Sequence, residues 1–456
     1  MKIKKRINKS IILILLILQA SVANLSAQYN PMSITPQMPT APTPDAFNRY
    51  DNTVNTQSRI NHNNTGYPAQ TRQNSYHENH VRSQMENDRR RDDELRKILG
   101  DLIVIEYELP SLATLAGTGY YKQAAETLTK MLQGKMPLSL KEAVFIVENA
   151  YFEGKLDKTK YNKSIENLVY LAHQKTAEDK LNWNNTLTKN LMLYRIMADT
   201  LKIRLPLQEK TITSYPMLYD FDNFYGKEDM SNEFVVKLLA THKGQCHSLP
   251  LLYLILCEAA GAEAYLAYSP QHSYIKIRDK YGEWFNIELT VRQFTTDASV
   301  VGSGYVTSEA IKNGIYLEPQ TKLQNIANCL NDLLLAYTQK YGYDDFVSRY
   351  ADTVLKYDPK NIRALMIKSN YLTARTNYVV SQTHYYNLDA NTVYKRYPRI
   401  IKMIEETQNM YKTIDELGYR DMPEEAYRAW IESMNREKRL RDEHEQKYGR
   451  MLQMID

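Results

Sequence analysis

Cysteine is nearly absent from this chain: three in 456 residues, Cys246, Cys257 and Cys329. Three thiols are no disulfide framework, and Cys246 and Cys257 stand eleven residues apart on one helical stretch, too far to bond. Tryptophan is equally scarce, and nine phenylalanines are outnumbered by 36 tyrosines. Many of these tyrosines fall at helical core spacing, so packing is their first expected use. Neither charge sign dominates. The net charge is +5 and no basic stripe interleaves with aromatics, so nucleic-acid binding is not expected. Long apolar runs are missing as well. The run over residues 11–18 is too short for a membrane span, which takes about 20 residues, and no later segment is apolar enough to make one.

That short run follows MKIKKRINKS, with five basic side chains, and small residues after it leave A-x-A-like sites ending at Ala23 and Ala27. This is the pattern of a secretory signal peptide over residues 1–27, so the chain is expected to be exported, periplasmic or secreted, with no transmembrane anchor once the signal is removed. No cysteine follows the run to carry a lipid. Residues 28–95, first rich in proline and threonine and then in polar residues, bury too little to offset chain entropy and read as a disordered tether. A solvated helix is expected to start within residues 86–97.

Residues 96–240 read as helical. Ser139-Leu140-Lys141-Glu142 has the form of a capping box at one helix start. Residues 301–456 also read as helical. There the Asp358-Pro359-Lys360-Asn361 junction between two helices resembles the link in tetratricopeptide repeats, and Asp421-Met422-Pro423-Glu424 opens a last long helix with aspartate as its cap. The charged end of that helix, residues 436–450, is expected to project into solvent.

Between these regions lies the most informative stretch, residues 244–290. Leu249, Leu252, Tyr253, Leu256 and Cys257 recur at three- and four-residue steps, which predicts a helix with a buried face that ends at Gly261. Pro250 is comfortable only in a first helical turn, so the helix is expected to start near Ser248, just after Cys246. His272 then opens a strand, residues 279–283 turn, and residues 284–290 return. If Arg278 pairs with Trp284, then His272, Asn286 and Glu288 share one face and the aliphatic set fills the other.

Gly244-Gln245-Cys246, a histidine opening a strand, and GEWFNIELT together resemble the transglutaminase-like superfamily of papain-like cysteine enzymes, over about residues 225–295. The resemblance implies an α+β fold whose core, residues 241–300 with a helical lead-in from about 225, packs a cysteine helix on a small antiparallel sheet between helical regions. It also implies a thiol enzyme: Cys246 as nucleophile, His272 as base, and either Glu288 or Asn286 orienting the imidazole. Glu288 departs from the family's aspartate. Backbone N–H groups near Cys246, with Gln245 helping, would form the oxyanion site.

The expected reaction is hydrolysis, or transfer, of an amide bond in a protein or peptide substrate, for instance one in the cell envelope, without a cofactor. Neither metal ligation by His242, Cys246, His247 and His272 nor a cell-wall peptidase, whose DCSG signature this chain lacks although it has the Cys-then-His order, fits as well. The alternative is a catalytically inactive binding module on the same fold.

Overall fold

A computed structural model describes residues 82–91, 94, 104–206, 209–221, 229–302, 305–383, 392 and 395–453. The expected signal peptide, and the tether apart from residues 82–91 and 94, lie outside them; residues 82–91 are helical and exposed. The fold is α+β in the coarse sense, with helices predominating and three small sheets among the described residues.

Four helices come first: α1 (Thr118–Leu132), α2 (Leu140–Tyr151), α3 (Lys158–Glu178) and α4 (Thr186–Ala198). Ser139 caps α2 through its hydroxyl, as the motif predicts. The reciprocal half does not form. Glu142 instead takes the Lys158 ammonium at 2.6 Å, and Glu258 accepts from the Ser139 hydroxyl and the Leu140 N–H at 2.6 and 2.8 Å. A carboxylate from a distant helix thus satisfies the Leu140 N–H, one of the free donors at this helix start.

The reading of residues 96–240 as helical also needs correction. Strands β1 (Leu201–Leu205) and β2 (Lys210–Ser214) form an antiparallel hairpin, and β3 (Leu218–Tyr219) runs parallel to β4 (Lys243–Gly244). The alternation in Leu201-Lys202-Ile203-Arg204-Leu205 is plain, with buried and exposed residues in turn. The β3–β4 bridge sets Tyr219 opposite Gly244. Between them, α5 (Val235–Thr241) ends at His242, whose φ of 58° turns the chain sharply into β4.

Helix α6 (Ser248–Ala260) follows with Pro250 in its first turn and Gly261, φ 65°, as its left-handed cap. One buried face was expected; in fact every residue from Ser248 to Cys257 is buried. The cause is that α2, α3, α4 and α5 pack on α6, as do β5 (Tyr265–Ser269) and β6 (His272–Arg278). With β7 (Trp284–Glu288) and β8 (Gln293–Thr295), these strands make a four-stranded antiparallel sheet in the order β5-β6-β7-β8. Arg278 pairs with Trp284 and Ile275 with Ile287, which is the register predicted from the turn.

After two short helices, α7 (Asp297–Val301) and α8 (Ser308–Asn313), come α9 (Lys322–Tyr341), α10 (Asp345–Tyr357), α11 (Ile362–Ser381), α12 (Pro398–Glu416) and α13 (Glu424–Gln453). From α9 to α12 each helix packs on the next, and α9 also packs on α1 and α2. In the Asp358–Asn361 junction, Asn361 caps α11 by accepting from the Ala364 N–H at 3.0 Å. One cluster of buried hydrophobic residues runs from Tyr121 through α6 and the sheet to Met434, so the helical regions and the sheet share a core. Among the described residues no helix is long and apolar enough to cross a membrane.

Candidate active site

Cys246 lies in the turn between β4 and α6, two residues ahead of the helix. Local bonds hold that turn. The Gln245 N–H donates to the Ser248 hydroxyl at 3.0 Å, Leu249 N–H donates to the Gln245 carbonyl, and Ser273 donates to the Cys246 carbonyl from the neighbouring strand. Gly244 leaves no room for a side chain: a Cβ there would meet Ser248 Oγ at 2.7 Å and Leu238 Cδ1 at 3.0 Å. Gly244→Ala is therefore expected to cost about 1–3 kcal/mol by overpacking and to disturb the bond that sets the Cys246 turn. Chemical denaturation checks the first effect, and alkylation of Cys246 the second.

The structure brings His272 and Glu288 together. His272 Nε2 and Glu288 Oε2 are 2.7 Å apart, in a site where the imidazole side chain is 1% exposed and the carboxylate 8%. Burial alone would lower the His272 pKa. The Glu288 carboxylate, with the influence of the nearby Cys246, outweighs burial and pushes it up to about 10. Burial would raise Glu288, but the His272 charge and bonds from His272 and Thr290 hold its carboxyl below the ordinary value. The remaining ring nitrogen, Nδ1, is buried without a hydrogen-bond partner. The Cys246 thiol is thus beside an imidazole that has one nitrogen committed and one open.

Asn286, the alternative orienting residue, does something else. Its amide donates to Asp297 at 2.9 Å, and Asp297 also binds the Lys276 ammonium at 2.7 and 2.8 Å. The register explains this, because Asn286 stands opposite Lys276, four residues along the strand from His272. The Gln245 side chain is fully buried and donates to the Asp220 carbonyl at 3.2 Å. His247 turns to Asp332, with 3.2 Å between the ring and the carboxylate. Among the described residues, no group of three or more His, Cys, Asp or Glu side chains is placed to hold a metal ion. Cys257 and Cys329 are core residues, 2% and 1% exposed, with burial raising both thiol pKa values.

The sequence reading missed a second layer over the pair, contributed by α13. The Tyr427 hydroxyl lies 3.6 Å from the Cys246 sulfur and 3.2 Å from the Tyr219 hydroxyl. The Trp430 ring meets the His272 imidazole edge to face, with centroids 4.7 Å apart. Gln271, at φ 54° in the tight β5–β6 turn, donates to Asp421 at 3.1 Å and to the Met422 carbonyl at 2.7 Å. Asp421, expected as a helix cap, thus serves to fasten α13 to the strand that carries His272. Tyr427, Ile431 and Met434 are buried at four- and three-residue steps, a periodicity present in the sequence. Beyond them Arg436, Glu437, Arg439, Leu440 and Glu443 are exposed, as expected for the charged end.

A cavity of about 440 Å³, which Tyr427 of α13 also lines, reaches Cys246 and His272. Protein-family models, curated proteins and solved structures give no match to this chain.

Proposed function

We infer that the chain is a thiol enzyme of the transglutaminase-like, papain-like type, exported from the cell, that hydrolyses or transfers an amide or peptide bond. The observation that carries this reading is the His272–Glu288 pair at 2.7 Å, lining one cavity with Cys246. In this reading His272 takes the thiol proton, and Glu288 stabilises the imidazolium and fixes the ring. The Cys246 sulfur attacks the carbonyl carbon. His272 returns the proton to the leaving amine, and water, or an acceptor amine, then releases the thioester.

Tyr427 takes the supporting role first assigned to Gln245. Burial, with the charges of Cys246 and Tyr219, raises its pKa well above the ordinary 10, so the hydroxyl remains a donor to the oxyanion at working pH. The same covering residue favours a second reading, a binding module that has kept the geometry without turnover, since Cys246 is only 8% exposed.

A chromogenic ester separates the two. With p-nitrophenyl acetate the enzyme reading expects a burst of about one p-nitrophenolate per chain and an acetyl group on Cys246 by mass spectrometry. A chain that shows no burst, or that acetylates only at lysines, is not the enzyme inferred here.

A further inference from the structure

The cavity beside the sulfur is built by two parts of the chain that the reaction scheme leaves unconnected. One wall is the β5–β6 turn and the start of α6. The opposite wall is the Asp358–Asn361 junction and the first turn of α11, which carries Arg363. Its volume of about 440 Å³ falls within the roughly 300–1,000 Å³ of small-ligand sites. The junction noted for its resemblance to a repeat link is therefore also a wall of the site.

The charges around this space are layered. Four basic side chains line it: His247, His272, Lys360 and Arg363. The carboxylates that pair with three of them, Asp332 and Glu288, stand behind the lining. Two acids do reach the wall. Asp358 accepts from Asn361 at 2.9 Å, and Glu233, buried with one carboxyl oxygen unpartnered, has its pKa raised by burial to about 7. The face turned toward a ligand is thus cationic on balance.

Arg363 and Lys360 both retain donor capacity. Arg363 Nη2 binds Asp332, while its buried Nη1 has no partner and the side chain keeps 18% exposure. Lys360 is exposed and donates to the Asn313 carbonyl at 3.2 Å, leaving two of its three N–H bonds. Tyr268, Tyr316 and Tyr419 supply the flat apolar surface that a peptide packs on.

We propose that this cavity holds part of a peptide substrate and that Lys360 and Arg363 select a chain carrying a carboxylate. That the bound peptide is cleaved or transferred rests on the thiol-enzyme reading; the carboxylate preference does not. The carboxylate is either the peptide's own C-terminus or an acidic side chain, and both offer the planar oxygen pair that a guanidinium and an ammonium meet.

Calorimetric titration of the full chain carrying Cys246→Ser tests this without needing thiol reactivity. Three probes are compared at low ionic strength: acetyl-Ala-Ala-Ala with a free C-terminus, acetyl-Ala-Glu-Ala amide, and acetyl-Ala-Gln-Ala amide. One of the first two is expected to bind about tenfold or more tighter than the glutamine peptide, as suits a charge-assisted hydrogen bond, and the tighter one identifies the source of the carboxylate. Lys360→Glu is expected to erase that preference. It changes an exposed side chain and so spares the fold, whereas Arg363→Met would leave the buried Asp332 with His247 alone; Arg363→Lys is the second variant, expected to weaken the preference.

Equal affinity for all three peptides, no binding of any, or a preference that survives both variants overturns the proposal. An acetyl burst without carboxylate preference removes this inference and leaves the enzyme reading. A preference without a burst does the reverse.

Discussion

With His272 replaced by alanine, acetylation of Cys246 by p-nitrophenyl acetate is expected to slow by about 10²–10⁴-fold, the range for loss of a positioned base. The expectation follows from the division of labour on the ring. Nε2 is bound to Glu288 at 2.7 Å, which leaves Nδ1 for the proton that the proposed step moves. His247, one residue after Cys246, is already paired with Asp332. His247→Ala is therefore expected to affect stability before it affects the burst. Matching rates for wild type and His272→Ala would sink the assignment of the base. The variant also uncovers one face of Trp430, which now meets the imidazole edge to face. Circular dichroism of the variant shows whether α13 stays in place, and a folded chain with a slow burst is the expected result.

What the sequence disclosed about this site was local. The β6–β7 register followed from one turn and the two-residue period of strands, and it placed Glu288 on the His272 face four residue pairs away from the turn. The start of α6 followed from Pro250 and its end from Gly261. The choice between Glu288 and Asn286 did not follow, because parity puts both on one face. Asn286 is drawn to Asp297, a residue from the start of α7 whose approach no period in the strand announces.

The cover was further from reach. Tyr427 is 181 positions from Cys246, and its contact depends on how the C-terminal helices pack back onto the sheet. The buried steps Tyr427, Ile431 and Met434 were readable as a buried face. What that face meets is a tertiary fact. The β1–β2 hairpin was missed for a different reason, since its five-residue alternations sit among longer helical patterns that dominate any wide window.

Replacing Glu288 by glutamine is expected to cost about 3–5 kcal/mol, because one member of a buried ion pair is removed and the other is left in place. The pH dependence should identify the pair. The folded pKa of His272, about 10 against an ordinary 6.5, is raised, so its stabilisation is complete below 6.5 and is lost as pH rises toward 10. Glu288, lowered from 4.5, contributes above 4.5 and loses that contribution as pH falls through its depressed value. The wild type is therefore most favoured by the pair between about 4.5 and 6.5.

In Glu288→Gln the largest cause raising His272 is gone and burial, which lowers its pKa, prevails. The variant then loses stability as pH falls below 6.5, where the wild type does not. The gap between the two in urea unfolding should be widest near pH 5–6 and narrow toward pH 10. The burst should fall with it, since a ring without its carboxylate is neither oriented nor stabilised as imidazolium. Asn286→Ala is the control. It removes one hydrogen bond, to Asp297, is expected to cost about 1 kcal/mol, and should leave the burst and its pH profile unchanged. If the two variants instead behave alike across pH, the carboxylate that holds the imidazole is not Glu288.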